Sequence, residues 1–168
     1  MYSESVHLNW YELLSGAITG VIREVESLKN DVDWGHKANF NRYDKWGMSI
    51  SGTLCEMALA KKMQSFFTHS VNNFYGKDLM INNKPVQVRS QLITKPDEYK
   101  SLIIRKNYNP DDYYFYVVDD TPKFYFGGYI QAKDCQKYGT WTNFGINSRP
   151  FVWSIKPDKL KSIKNFYE

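Results

Sequence analysis

The stretch Lys77-Asp78-Leu79-Met80-Ile81-Asn82-Asn83-Lys84-Pro85-Val86-Gln87-Val88-Arg89 decides how this chain is read. Two short apolar runs flank Asn82-Asn83, and paired asparagines tolerate the left-handed backbone that a two-residue hairpin loop requires. With a loop of that length Ile81 pairs with Lys84, and Asp78 falls opposite Gln87. Strand side chains alternate between faces, and directly opposed residues project to the same side. Gln87 and Arg89 then share a face with Asp78, while Val86 and Val88 take the other. A three-residue loop would send Asp78 to the far face. The same pattern also fits an ordinary strand with one solvated face, and Asp78 also fits the polar start of a strand.

Upstream, the spacing predicts two helices. Trp10, Leu13, Leu14, Ala17, Ile18, Val21, Val25 and Leu28 recur at helical period and form one apolar stripe. Gly16 and Gly20 interrupt it, each weakening the helix by roughly 1 kcal/mol relative to Ala; they allow another element to approach closely. Arg23, Glu24 and Glu26 rule out a membrane reading of this glycine pair. Residues 30 to 46 lack periodicity and read as a long connection holding Trp34, Gly35, Asn39, Phe40, Asn41, Tyr43, Asp44 and Trp46. A second helix is expected from Ser51 to Phe67, its apolar face formed by Cys55, Ala58, Leu59, Met63 and Phe66. Glu56 lies at the border of that face, where it also fits a plain surface position.

Downstream, strands are expected over Lys77–Ile81, Val86–Leu92, Ser101–Arg105, Tyr113–Asp119, Lys123–Ile130 and Phe151–Ile155. A short helix is expected over Gln131–Tyr138, and a basic turn or short helix over Pro157–Lys164. Asn109-Pro110-Asp111-Asp112 is a turn. Gly127-Gly128, inside a strand-like run, marks a bulge or a close approach rather than a phosphate cradle. Tyr113-Tyr114-Phe115-Tyr116 reads as core packing rather than a base-stacking platform. Helices first and then a sheet with a late helix is an α+β pattern with a central mixed sheet. No repeat or linker divides the 168 residues, so a single domain over 1–168 is expected, with a helix and long connection over 1–50 and the core over 51–168.

Composition narrows the function classes. The hydrophobic share of 42% and charged share of 24% are those of a globular domain. A net charge of +4 favours a polyanionic partner such as DNA. Lys61, Lys62, Lys95, Arg105 and Lys106 are the candidate phosphate contacts, with a further basic group at Lys156, Lys159, Lys161 and Lys164; each cluster also fits a solvated surface. Two cysteines, Cys55 and Cys135, make neither a disulfide framework nor a zinc pattern, and a cytoplasmic setting is expected. No apolar run is long enough to cross a bilayer and no leader is visible at Met1. His7, His36 and His69 are scattered and fall in no metal-ligand spacing. No stretch reads as an exposed self-association seam.

Glu56 on a helix, then Asp78, then Gln87-Val88-Arg89 resembles the PD-(D/E)XK nuclease superfamily, with Gln and Arg replacing the usual Glu and Lys. The order of the later segments is also similar to small phage and prokaryotic members of that superfamily. These segments are Leu102–Arg105, Pro110-Asp111-Asp112, Tyr113–Val118, Phe124–Ile130 and Phe151–Ile155 before Leu160. The resemblance covers about residues 52 to 163. It implies an α/β/α-like, restriction-endonuclease-like core and DNA phosphodiester hydrolysis assisted by Mg²⁺ or Mn²⁺, in some members by a dimer. By the same resemblance, Asp78, Gln87 through its amide oxygen, the Val88 carbonyl and Glu56 would hold the metal, all oxygen donors suited to a hard cation. Arg89 would stabilise charge on the phosphate.

The departures change the chemistry. Gln87 is neutral, so the pocket carries one negative charge fewer, although Gln is similarly placed in some branches that include type IV restriction enzymes. Arg89 stays protonated at working pH and cannot act as a base. A second reading follows from these departures: a catalytically silent relative that binds nucleic acid or a host protein, such as a phage factor that interferes with host defence.

Overall fold

Asn9 and Asn41 each open a helix in the same way. In the computed structural model, which describes residues 2, 4–32, 41–71, 76–97 and 100–167, the Asn9 side chain accepts from the Tyr11 and Glu12 N–H groups. Glu12 Oε2 accepts in turn from the Asn9 N–H at 2.7 Å. Asn41 and Asp44 repeat this reciprocal cap. Helix α1 spans Trp10–Lys29 and α2 spans Arg42–Lys62. The second helix therefore starts nine residues before the Ser51 expected from periodicity and ends before Phe67, with Met63 as its C-cap and Gln64 at φ 48°. Tyr43, Asp44 and Trp46, read above as connection, are helical. Trp34, Gly35, His36, Asn39 and Phe40 lie outside the described residues.

Strand β1 (Glu4–His7) precedes α1; β2 (Leu79–Ile81), β3 (Lys84–Leu92), β4 (Leu102–Arg105), β5 (Tyr113–Asp120) and β6 (Lys123–Gln131) follow α2. A 3₁₀ turn at Ala132–Asp134 leads into α3 (Cys135–Tyr138), then β7 (Thr140–Thr142), β8 (Val152–Ile155) and closing 3₁₀ turns at Pro157–Lys159 and Ile163–Phe166. The main sheet runs β1-β6-β5-β3-β2 and the smaller one β4-β8-β7. Among the described residues only the β3–β5 pairing is parallel, so the main sheet is mixed and the fold is α+β.

The main sheet is buried on both faces. Phe115, Val117, Val86 and Val88 pack with Leu54, Ala58 and Leu59 of α2 and with Phe166. Tyr114, Tyr116 and Val118 face the other way, onto Leu102, Ile104 and Ile155 of the small sheet and Cys135. The Tyr113–Tyr116 run is thus core on both sides. Tyr116 pairs with Gly128 and Val117 with Phe126, so Gly127 is the extra residue of a bulge. A Cβ on Gly127 would lie 2.3 Å from the Tyr116 ring.

Helix α1 lies against α2 by its small residues. A Cβ on Gly20 would sit 2.7 Å from the Ile50 Cα, and one on Gly16 would sit 2.7 Å from Leu54. The two helices run antiparallel, with Glu12 meeting Lys61, Gly20 meeting Ile50 and Glu24 donated to by Ser49 at 2.7 Å. The buried face is therefore Gly16, Thr19, Gly20, Glu24 and Ser27. Most of the apolar stripe read from the sequence points outward; Leu13 is the member that packs on the core. α1 therefore exposes an apolar face along its outer side.

The two kinds of helical glycine separate in a stability measurement. Gly20→Ala is expected to destabilise by about 1–3 kcal/mol, because backbone must move to admit the methyl group. Gly47→Ala, with open space around its Cβ, is expected to stabilise by about 0.5–1 kcal/mol. Urea unfolding of both variants checks the pair of signs.

Candidate functional site: a charged cleft at the open edge of β3

Asn82 and Asn83 both adopt positive φ, 49° and 58°, the geometry of a tight hairpin whose twist matches its strands. Ile81 pairs with Lys84, Met80 with Pro85 and Leu79 with Val86, so the loop has two residues and the next position down is Asp78. There the ladder stops. The Asp78 N–H donates to the Val86 carbonyl at 3.1 Å, and its Oδ2 accepts from the Val88 N–H at 2.6 Å. The carboxylate satisfies a backbone donor that a longer β2 would have satisfied with a carbonyl.

Because β2 has three residues and β3 nine, the outer edge of β3 is unpaired beyond Asp78 among the described residues. A cleft of about 910 Å³ forms along it, walled by α1 and α2 on one side and by β4 and Tyr114 on the other. Glu56, Asp78, Gln87, Val88 and Arg89 all line this cleft. The Gln87 amide nitrogen donates to the Gly76 carbonyl at 3.3 Å, which leaves its oxygen as an acceptor. Arg89 donates through Nη1 to its neighbour's carbonyl, Val88 O, at 3.0 Å and through Nε to Ile103 O at 3.3 Å, with its guanidinium 4.9 Å from the Tyr114 ring centre.

Arg23 enters the cleft from α1, and nothing in its helical neighbours marks it in the sequence. Its Nη1 lies 2.7 Å from Glu56 Oε2 and its Nε donates to the Ser70 carbonyl at 3.0 Å. It ties α1, α2 and the segment after α2 together at the carboxylate. Asp112, read above only as a turn residue, is also at the cleft. It is buried, takes Lys77 Nζ at 2.6 Å on Oδ2, and has no hydrogen-bond partner for Oδ1 among the described residues.

The candidate phosphate contacts do not share one face. Arg105 lines the cleft, where burial and then the neighbouring Arg89 push its pKa down to about 10. Lys61 is bound to Glu12 and the His7 carbonyl, and Lys62 to Glu4, at the end of the fold where β1 meets α2. Lys95 is exposed beside Arg149, and Lys106 is exposed next to Arg105. His69 packs on Phe67 and bonds Thr19 Oγ1 through Nδ1 at 2.8 Å.

Burial dominates the electrostatics of the two carboxyls. It pushes Glu56 up to about 8, the charge of Asp78 adds to the rise, and Arg23 opposes it. Asp78 is likewise raised by burial, against the lowering pull of Arg89 and of the Val88 N–H. A buried acid whose proton affinity is raised further by a neighbouring carboxylate is one a cation would relieve.

The oxygen types suit a hard divalent ion: Glu56, Asp78 and Gln87 line the same cleft with oxygen donors. The Val88 carbonyl is engaged by Arg89. No group of three or more His, Cys, Asp or Glu side chains able to hold a metal occurs among the described residues, so two carboxylates would carry any such site. No protein-family model, no curated protein and no solved structure matches this chain.

The raised Glu56 pKa fixes a sign for stability. The folded protein holds a proton that the unfolded chain releases near pH 4.5, so stability falls as pH rises from about 4.5 to about 8. Glu56→Gln keeps an acceptor for Arg23 and removes the titration. Its unfolding free energy is expected to lose that downward slope, as measured by denaturant melts at half-unit pH steps.

Proposed function

We propose that this chain is a small metal-dependent nuclease of the PD-(D/E)XK superfamily, with a restriction-endonuclease-like core, acting on DNA. The observation that carries the reading is the meeting of Glu56, Asp78, Gln87 and Arg89 in one cleft, in the hairpin register the chemistry needs. Asp78, Glu56 and the Gln87 oxygen would hold Mg²⁺ or Mn²⁺. Such an ion supplies a Lewis acid for the phosphoryl oxygen and lowers the pKa of water.

The chain's own groups do the rest. The neutral Gln87 keeps the site less negative than a three-carboxylate pocket. Arg89, permanently charged and set on the Tyr114 ring, stabilises negative charge on the phosphate. Arg23 from the α1 side and Arg105 from the β4 side add positive potential to the same cleft. Glu56, once deprotonated near pH 8, would take a proton from attacking water.

A second reading has its own observation. Arg23 already occupies Glu56 and Arg89 already occupies the Val88 carbonyl, which favours a silent nuclease-like protein that binds nucleic acid or a protein partner.

A cleavage assay on plasmid and linear DNA with Mg²⁺ or Mn²⁺ separates the two. The nuclease reading expects metal-dependent cutting that Asp78→Asn lowers by about 100-fold or more, the several kcal/mol of a Lewis-acid contact. Asn keeps an oxygen for the Val88 N–H, so the hairpin survives. DNA binding without cutting, equal in wild type and variant, supports the silent relative.

A further inference from the structure

Helix α1 is packed inside out. Its inner face is Gly16, Thr19, Gly20, Glu24 and Ser27, while its outer face carries the large apolar side chains. Tyr11 is 85% exposed, Trp10 77%, Leu14 60%, Ile18 51%, Leu28 45%, Ile22 44% and Val25 38%. A 20-residue helix is about 30 Å long, and this stripe runs its whole length. Its exposed apolar area is on the order of 800 Å², above the largest patch of an ordinary monomer and equal to one side of a standard protein interface.

We infer that the outer face of α1 is the interface of a homodimer, in which α1 packs antiparallel against α1 of a second copy. Three observations favour a second copy as the occupant.

The seam is symmetric about its own midpoint. Residues 11, 14, 18, 21, 25 and 28 alternate spacings of three and four, with Val21 half-buried and the exposed Ile22 flanking the row, and the sequence of spacings reads the same from either end. A two-fold axis between Thr19 and Gly20 therefore sets Tyr11 against Leu28, Leu14 against Val25, and Ile18 against Val21. An isologous interface demands that self-match, and the spacing is that of helices crossing at a shallow angle.

The area is the right size without help from another surface. The antiparallel arrangement also sets the two helix dipoles in opposition.

The seam faces away from Arg23, Glu24 and Ser27, so pairing leaves the inner wall of the cleft in place. Leu28 is shared by the seam and the cleft mouth, which puts each mouth beside the interface. The inference does not depend on the nuclease reading.

Sedimentation and light scattering of the full chain, from micromolar to hundreds of micromolar, test it. Wild type is expected at twice the chain mass. Ile18→Glu and Leu14→Glu change residues that are exposed in the single chain, so each is expected to run at the chain mass with an unchanged far-ultraviolet spectrum. Oxidation of Ile18→Cys, next to the axis, is expected to give a cross-linked pair. Tyr11→Cys is expected to give none, because antiparallel packing holds the two copies of that position about 25 Å apart. A wild-type monomer throughout, a dimer that survives both charge substitutions, or cross-linking at Tyr11→Cys as efficient as at Ile18→Cys overturns the assignment. So does a monomer that instead binds vesicles of anionic phospholipid through this face.

Discussion

The hydrogen bond from the Val88 N–H to the Asp78 carboxylate, at 2.6 Å, is the contact on which the rest of the cleft depends. It ends the β2 ladder after three residues and leaves the remaining edge of β3 uncovered. An uncovered edge is a liability for a sheet protein, since its free donors and acceptors invite other strands. Here side chains manage it: Asp78 takes one N–H, and Arg89 folds back onto one carbonyl. The polar groups that protect the edge are the same ones that give the cleft its chemistry. Fold and site are coupled at that point, and a β2 longer by two residues would cover the backbone and displace both.

Around that edge the protein sets positive against negative charge in a buried place. Arg23 holds Glu56, Arg89 faces Asp78, and Lys77 holds Asp112. Buried pairs of this kind contribute little net stability, because desolvation offsets their attraction. They do hold acids and bases at fixed positions inside a cavity. With Glu56 up at about 8, a large share of it is protonated at neutral pH, and Arg23 then donates to a neutral carboxyl. The cleft therefore has a spare proton to release when positive charge arrives, whether from an ion or from a change in how Arg23 is placed.

Much of the fold was legible in the sequence. Asn82-Asn83 marked the turn, and the two-residue loop found there sets the register, because a strand's side chains repeat every second residue. Val86 and Val88 on the core face, Gln87 and Arg89 on the cleft face, and the bulge at Gly127 all follow from local pattern. The start of α2 was legible too, in the Asn41/Asp44 capping pair, although a run without apolar period hid it. Strands β1 and β7 gave little signal. Glu4-Ser5-Val6-His7 holds one aliphatic residue and Thr140-Trp141-Thr142 only three positions, and each forms only by pairing with a longer neighbour. The inner face of α1 was misjudged for a physical reason. Periodicity shows that a helix has an apolar side but not which side turns inward, and close approach at Gly16 and Gly20 outweighed the bulk of Leu14 and Ile18. Arg23 went unnoticed because its partner is thirty-three residues away in sequence.

A crystal soaked in Mn²⁺ and measured for anomalous scattering decides whether the cleft holds a cation. A peak is expected in the cleft within about 2.0–2.6 Å of oxygens from Asp78 and Gln87, the range of hard-cation coordination, with Glu56 turned from Arg23 toward it. A cleft with no peak, and with Glu56 still held by Arg23 and Val88 still held by Arg89, would contradict that expectation.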